Sequence, residues 1–123
     1  MRWIVDGMNV IGSRPDGWWR DRHAAMVALV HRLERWAHAD GADVTVVFEQ
    51  PPRPSIDSAV ITVAHAPAPA PDSGDDEIVR LVHADERPDD IVVVTSDRTL
   101  ADRVRSARAT VVSPEHLRAL LER

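Results

Sequence analysis

Asp6 follows directly on the apolar run Trp3-Ile4-Val5, and Asp97 ends the stretch Val92-Val93-Val94-Thr95-Ser96-Asp97. A carboxylate that closes a short apolar run belongs at the carboxyl edge of a buried strand, where open α/β sheets gather their ligands. Two such acids at one edge suit a hard divalent cation, and cations held this way usually act on phosphates. A third acid comes from Gly74-Asp75-Asp76-Glu77. On a helix, residue i shares a face with i+3 and i+4. Asp75 therefore aligns with Ile78 and Val79 and is expected to face the sheet, Asp76 lies nearer the boundary, and Glu77 is expected in solvent. Converging carboxylates cannot all stay ionised without a cation. Mg²⁺ or Mn²⁺ would answer that need with oxygen ligands and could activate a water. Plainer roles compete with this one: an Asp after a strand often caps the next element, and acids at a helix start complement its dipole.

The neighbours of these acids extend the chemistry. Asn9 either shapes the turn after Asp6, orients its carboxylate or holds a substrate phosphate. Arg14, Arg20, Arg22 and Arg98 flank the expected site and could reach a nucleic-acid backbone. Trp18-Trp19 could stack on bases, with one of the two serving as a core plug. Other chemistries are disfavoured. The six histidines lack compact ligand spacing for zinc. Neither a Gly-rich phosphate loop nor a dinucleotide fingerprint is present, so no nucleotide cofactor is expected. A phosphatase with Asp6 as nucleophile would want an acid two residues on, where Met8 stands, and a receiver domain would want a lysine, which the sequence lacks.

Net charge of −5 argues against a passive nucleic-acid coat, whose affinity comes from neutralising phosphates. An enzyme that binds metal through a carboxylate cluster is compatible with an acidic surface. There is no cysteine, signal-peptide pattern or apolar run long enough to span a bilayer, so a cytoplasmic protein with no membrane contact is expected.

The elements that must position the acids alternate along a single domain, residues 1–123. A first strand over Arg2 to Val5 leads into a loop from Asn9 to Arg20. Met26, Leu29, Val30, Leu33, Trp36 and Ala37 repeat at helical spacing, which predicts a helix over 21–39 with Gly41 at its C-terminus. Strands follow over 44–48 and 59–64, on either side of the rigid turn Pro51-Pro52-Arg53-Pro54. The alternating Ala-Pro stretch 66–71 is expected to be extended. An acidic helix entrance over 72–77 precedes the apolar stripe Ile78, Val79 and Val82. A strand over 91–95, a helix over 99–107, a strand over 109–112 and a helix capped by Ser113 with Pro114 complete the order. Such alternation implies a mostly parallel sheet covered on both faces. In the strand order 3-2-1-4-5, the switch point falls between the first and fourth strands, which end at Asp6 and Asp97.

Asp6-Gly-Met-Asn9-Val-Ile-Gly12, Val46-Val-Phe48, Gly74-Asp75-Asp76-Glu-Ile78 and Val94-Thr-Ser-Asp97-Arg98, in this order, resemble the NYN domain of the YacP-like branch of the PIN-like nuclease superfamily. The resemblance runs from Trp3 to about Leu117. It implies a PIN-like three-layer α/β/α sandwich and a Mg²⁺- or Mn²⁺-dependent endoribonuclease acting on single-stranded or loop RNA. Metal would rest on Asp6, on Asp75 or Asp76, and on Asp97, with Asn9 supporting catalysis. Asn9, Arg14, Arg20, Arg98 and Ser96 would line the RNA path. The alternative is an RNA- or ribosome-associated binding module of the same fold with weak or no catalysis. Two departures bear on the choice: Glu49 stands where many relatives have Asp, and Thr99 where many have a second Asp. The fourth acidic ligand is therefore open among Glu49, Asp76 and Asp102, although Asp102 lies off the Leu100, Ala101 and Val104 face, where pairing with Arg98 or Arg105 is expected.

Overall fold

The computed structural model describes every residue except Pro69, Pro71 and Asp72. Five parallel strands form one sheet in the order β3-β2-β1-β4-β5: β1 (Arg2–Asp6), β2 (Asp43–Phe48), β3 (Thr62–His65), β4 (Ile91–Val94) and β5 (Thr110–Val112). The helices are α1 (Gly7–Gly12), α2 (Arg22–Asp40), α3 (Ser73–Ala84), α4 (Arg98–Ser106) and α5 (Pro114–Leu121).

Each face of the sheet has its own core. Val5, Val46 and Val94 pack with Val10, Leu33, Trp36 and Leu117 from α1, α2 and α5. Ile4, Val47 and Val93 pack with Ile78, Val82, Leu100 and Val104 from α3 and α4. Adjacent strand residues go to opposite layers because side chains alternate across a strand. β4 is buried at every residue, as a central parallel strand must be when helices cover both faces. Together these layers make the α/β/α sandwich expected from the alternating pattern.

Helix ends follow the sequence signals. The Asp21 carboxylate accepts from the Ala24 N–H at the start of α2, and Gly41 ends that helix in the left-handed conformation at φ 66°. The Ser113 hydroxyl accepts from the His116 N–H with Pro114 at the first helical position. Arg2 Nε and Nη2 donate to the two carboxylate oxygens of Asp85 at 2.7 and 2.6 Å, tying the exit of α3 to β1.

Three expectations are corrected. The segment expected as a loop from Asn9 begins inside α1, and Trp18–Arg20 forms a short 3-10 turn. The third strand begins at Thr62 rather than at 59. Ser58 Oγ accepts from the Val60 and Ile61 N–H groups and donates to Glu34, which makes that stretch a turn. Asp102 is exposed on α4 and forms no ion pair among the described residues, so its expected pairing with Arg98 or Arg105 is not made. The extended segment expected over 66–71 includes Pro69 and Pro71, and the acidic helix entrance includes Asp72; those three positions lie outside the described residues.

Candidate active site

Asp6 is the last residue of β1 and the N-cap of α1, yet its carboxylate makes no capping bond to that helix. Its Oδ2 instead accepts from the Thr95 hydroxyl at 2.9 Å. Thr95 is 3% exposed, and its Oγ1 also accepts from the Asp97 N–H at 3.1 Å. One hydroxyl thus orients the carboxylate of Asp6 and the backbone of Asp97. Sequence reasoning gave Thr95 no role. The available signal was a hydroxyl side chain placed directly after the buried run of β4.

Asp97 both caps and faces the crevice edge. Its Oδ1 accepts from the Leu100 N–H at 3.0 Å at the start of α4. Asn9 does not bond Asp6. Its Oδ1 accepts from the Ser96 N–H at 2.9 Å and the Ser96 hydroxyl at 3.0 Å, which stitches α1 to the β4–α4 loop. Gly7 is needed for the close approach of α1 to β2. A Cβ there would sit 2.5 Å from Phe48 Cε1, so only glycine lets α1 start directly against the end of β2. On the other side of that end, a Cβ on Gly74 would lie 3.1 Å from Glu49 Cγ, so α3 begins close against Glu49.

Burial raises the Asp6 carboxyl to about 7. The Thr95 hydrogen bond lowers it in part, and the charges of Asp75, Asp97 and Glu49 raise it further. Four acids therefore share one electrostatic neighbourhood, and the fourth is Glu49. Of the other two candidates, Asp102 is exposed on α4, and Asp76 is exposed and pairs with Arg103 at 3.0 Å. Glu77 is a correction: it is buried, and Arg80 Nε and Nη2 donate to its two oxygens at 2.7 Å each. Those hydrogen bonds hold its carboxyl below the usual range.

An all-oxygen donor set of this kind suits Mg²⁺ or Mn²⁺ rather than a softer metal. Among the described residues, no three His, Cys, Asp or Glu are grouped closely enough to hold a metal directly. The acids act on Asp6 through their fields at longer range.

The polar candidates divide between two places. Ser96 and Arg98 line a hollow of about 410 Å³ at the rim of the β4–α4 loop, with Thr95 and Asp102. Arg14 is elsewhere, in a cleft with Arg32, Arg35 and Arg118, and Arg20 is exposed at the end of the 3-10 turn. Trp18 packs against the core while Trp19 is 53% exposed. A further cavity of about 510 Å³ adjoins the acids, lined by Met8, Met26, Phe48, Glu49 and His65 among others.

Acids gathered at the switch point of a parallel 3-2-1-4-5 sheet, with helices on both faces, make this an α/β domain of the PIN-like type, whose members are usually nucleases. More narrowly, the chain belongs to the family of the YacP-like NYN domain, whose family model matches residues 3–123. Rae1 (YacP) from Bacillus subtilis has a similar structure, with a TM-score of 0.82 at 23% identity over 99% of this chain and 74% of that one. A tryptophan-to-leucine mutant of the same protein gives 0.81 with the same identity and coverage. No curated protein matches the chain in sequence.

Proposed function

We propose that this chain is a metal-dependent endoribonuclease that hydrolyses phosphodiester bonds in single-stranded or loop RNA. The observation that carries the proposal is Asp6, half-buried at the switch point, held by Thr95 and raised to about 7 within the fields of Asp75, Asp97 and Glu49. Membership of a superfamily whose domains are usually nucleases supports it.

Asp6, Asp75 and Asp97 would hold Mg²⁺ or Mn²⁺, with Glu49 as a further acid whose charge acts on Asp6. Such a cation, when bound, anchors a phosphate oxygen, activates a water and relieves charge on the leaving oxygen. The protein's own part is positioning. Thr95 fixes the rotamer of Asp6, Asn9 pins the Ser96 backbone, and Arg98 brings positive charge to the rim where a phosphate would enter. RNA is the partner in this reading, and ribosome association is compatible with it. No described helix is long and apolar enough to cross a membrane. A cytoplasmic setting, where RNA is at hand, belongs to the same proposal.

A second reading, an RNA-binding module without cleavage, draws on the lack of a direct three-acid metal group among the described residues. Cleavage of a labelled single-stranded RNA with Mn²⁺, Mg²⁺ or EDTA separates the two. The nuclease reading expects cutting that needs the metal and disappears in Asp6→Asn and in Asp97→Asn. Absence of cutting in every condition, together with absence of metal binding by calorimetry, selects the binding module.

A further inference from the structure

We propose that the flank built by the exit of α1, the middle of α2 and α5 binds the phosphate backbone of a single-stranded polynucleotide. The inference concerns binding at a place other than the acid crevice and does not require the crevice to cut.

Arg14, Arg32, Arg35 and Arg118 line one cleft of about 250 Å³, in a chain whose net charge is −5. Arg14, Arg32 and Arg118 continue into an adjoining hollow of about 90 Å³ that has Trp18 in its wall. Acids near the cleft answer only part of this charge. Glu115 pairs with Arg118 at 3.4 Å, while Arg14, Arg32 and Arg35 form no ion pair among the described residues. Glu34, next to Arg35 in sequence, takes its hydrogen bond from Ser58 at 2.7 Å instead. Asp16 and Glu122 also line the two hollows, which leaves guanidinium in excess. Arg118 is fixed in place, with a side chain 17% exposed and bonded to the Ser13 hydroxyl. Crowded guanidinium groups favour an anion, and their planar forks match phosphate oxygens.

The tryptophans select the polynucleotide over a free anion or an acidic protein. Trp19 is exposed and meets Trp18 edge to face, with ring centroids 6.0 Å apart, and the Arg22 guanidinium lies 5.5 Å from the Trp18 ring. A basic groove beside aromatic faces is the arrangement that binds single strands, phosphates on the cations and bases on the rings. Position agrees with this. The six residues of α1 span only about 9 Å, so Ser13 and the cleft beyond it lie close enough to Asp6 for one strand to touch both.

The test is fluorescence anisotropy with a labelled oligouridylate over a salt series. It uses the Asp6→Asn background without divalent cation, so that cleavage plays no part. Arg32→Glu with Arg35→Glu is compared with Arg87→Glu and Arg108→Glu, which changes the net charge equally at exposed sites elsewhere. The flank pair should weaken binding roughly tenfold or more and flatten the salt slope by about 0.7 for each phosphate no longer neutralised. Arg14→Gln, on a separate element, should shift both readouts the same way by less. Trp19 emission should be quenched by RNA in the background protein and less in the flank pair. Equal losses in the two pairs would reduce the effect to overall charge and overturn the proposal. So would unchanged binding in a flank pair that melts normally, or displacement of the RNA by polyglutamate at matched charge. If flank binding is seen but the cleavage assay fails, the nuclease reading falls and this inference stands; cutting with an inert flank gives the reverse.

Discussion

The acid crevice and the arginine flank lie at opposite ends of the short helix α1 and are built on contrary principles. In the crevice, charge of one sign is partly buried and governed by hydrogen bonds from neutral donors: Thr95 to Asp6, the Leu100 N–H to Asp97, and Ser96 to Asn9. On the flank, charge of the other sign is carried by long side chains, three of them exposed on the helix surface or just past α1. Packing enforces the first region, and collecting flexible cations in one place makes the second. Damage should therefore show itself differently in each: substitution in the crevice should register in the stability of the fold, and substitution on the flank in affinity alone.

The largest effect expected from this contrast belongs to Asp6. Its carboxyl is raised to about 7 from 3.8, so the folded chain holds that proton more tightly than the unfolded chain. The stabilisation is complete below about pH 4 and is lost as pH rises through 7. In metal-free protein well above pH 7, Asp6→Asn should therefore be more stable than wild type by up to about 4 kcal/mol, a gap that closes toward pH 4. Scanning calorimetry across that range checks it, and a gap that widens toward acid would refute the assignment. Adding Mg²⁺ or Mn²⁺ should then raise the melting temperature of wild type and leave that of Asp6→Asn unmoved.

Gly7→Ala should come next, losing about 1–3 kcal/mol because its Cβ would overlap the Phe48 ring. Chemical denaturation measures it. A neutral result would mean that the seating of α1 on β2 is not a fixed part of the crevice. Thr95→Val keeps the shape but removes the hydroxyl shared by Asp6 and the Asp97 backbone. Metal affinity or cutting should fall about 10- to 100-fold. Retention of both would move the positioning role away from Thr95.

The smallest effect belongs to the flank. Arg32→Glu with Arg35→Glu should change stability by no more than about 0.5 kcal/mol, even though it weakens RNA binding. A loss well above that would make the arginines structural and erase the contrast between the two regions.

Much of this arrangement could be read in the sequence because it rests on periodicity. Strand runs, the α2 stripe and the alternation of elements give the sheet order, and the order alone brings Asp6 and Asp97 to one crevice. What could not be read depends on contacts between distant residues. The six-residue α1 is too short to show a helical period and carries glycine at both ends. Spacing set Asp75 toward the sheet and Asp76 nearer the boundary, but nothing local foretold that Arg103 on α4 would pair with the second. Glu77 looked solvated by spacing, but Arg80 satisfies both its oxygens and allows it to be buried. The arginine cleft draws on Arg14, Arg32, Arg35 and Arg118, from three elements whose adjacency no local pattern encodes.

The bond from Thr95 to Asp6 and the bond from Ser96 to Asn9 join positions 89 and 87 residues apart. During synthesis Asp6 emerges before Thr95, and β1 waits for its β4 neighbour while β2 and β3 are made. The crevice consequently has no partial form: it comes into being when β4 docks beside β1, after the other half of the sheet has been made.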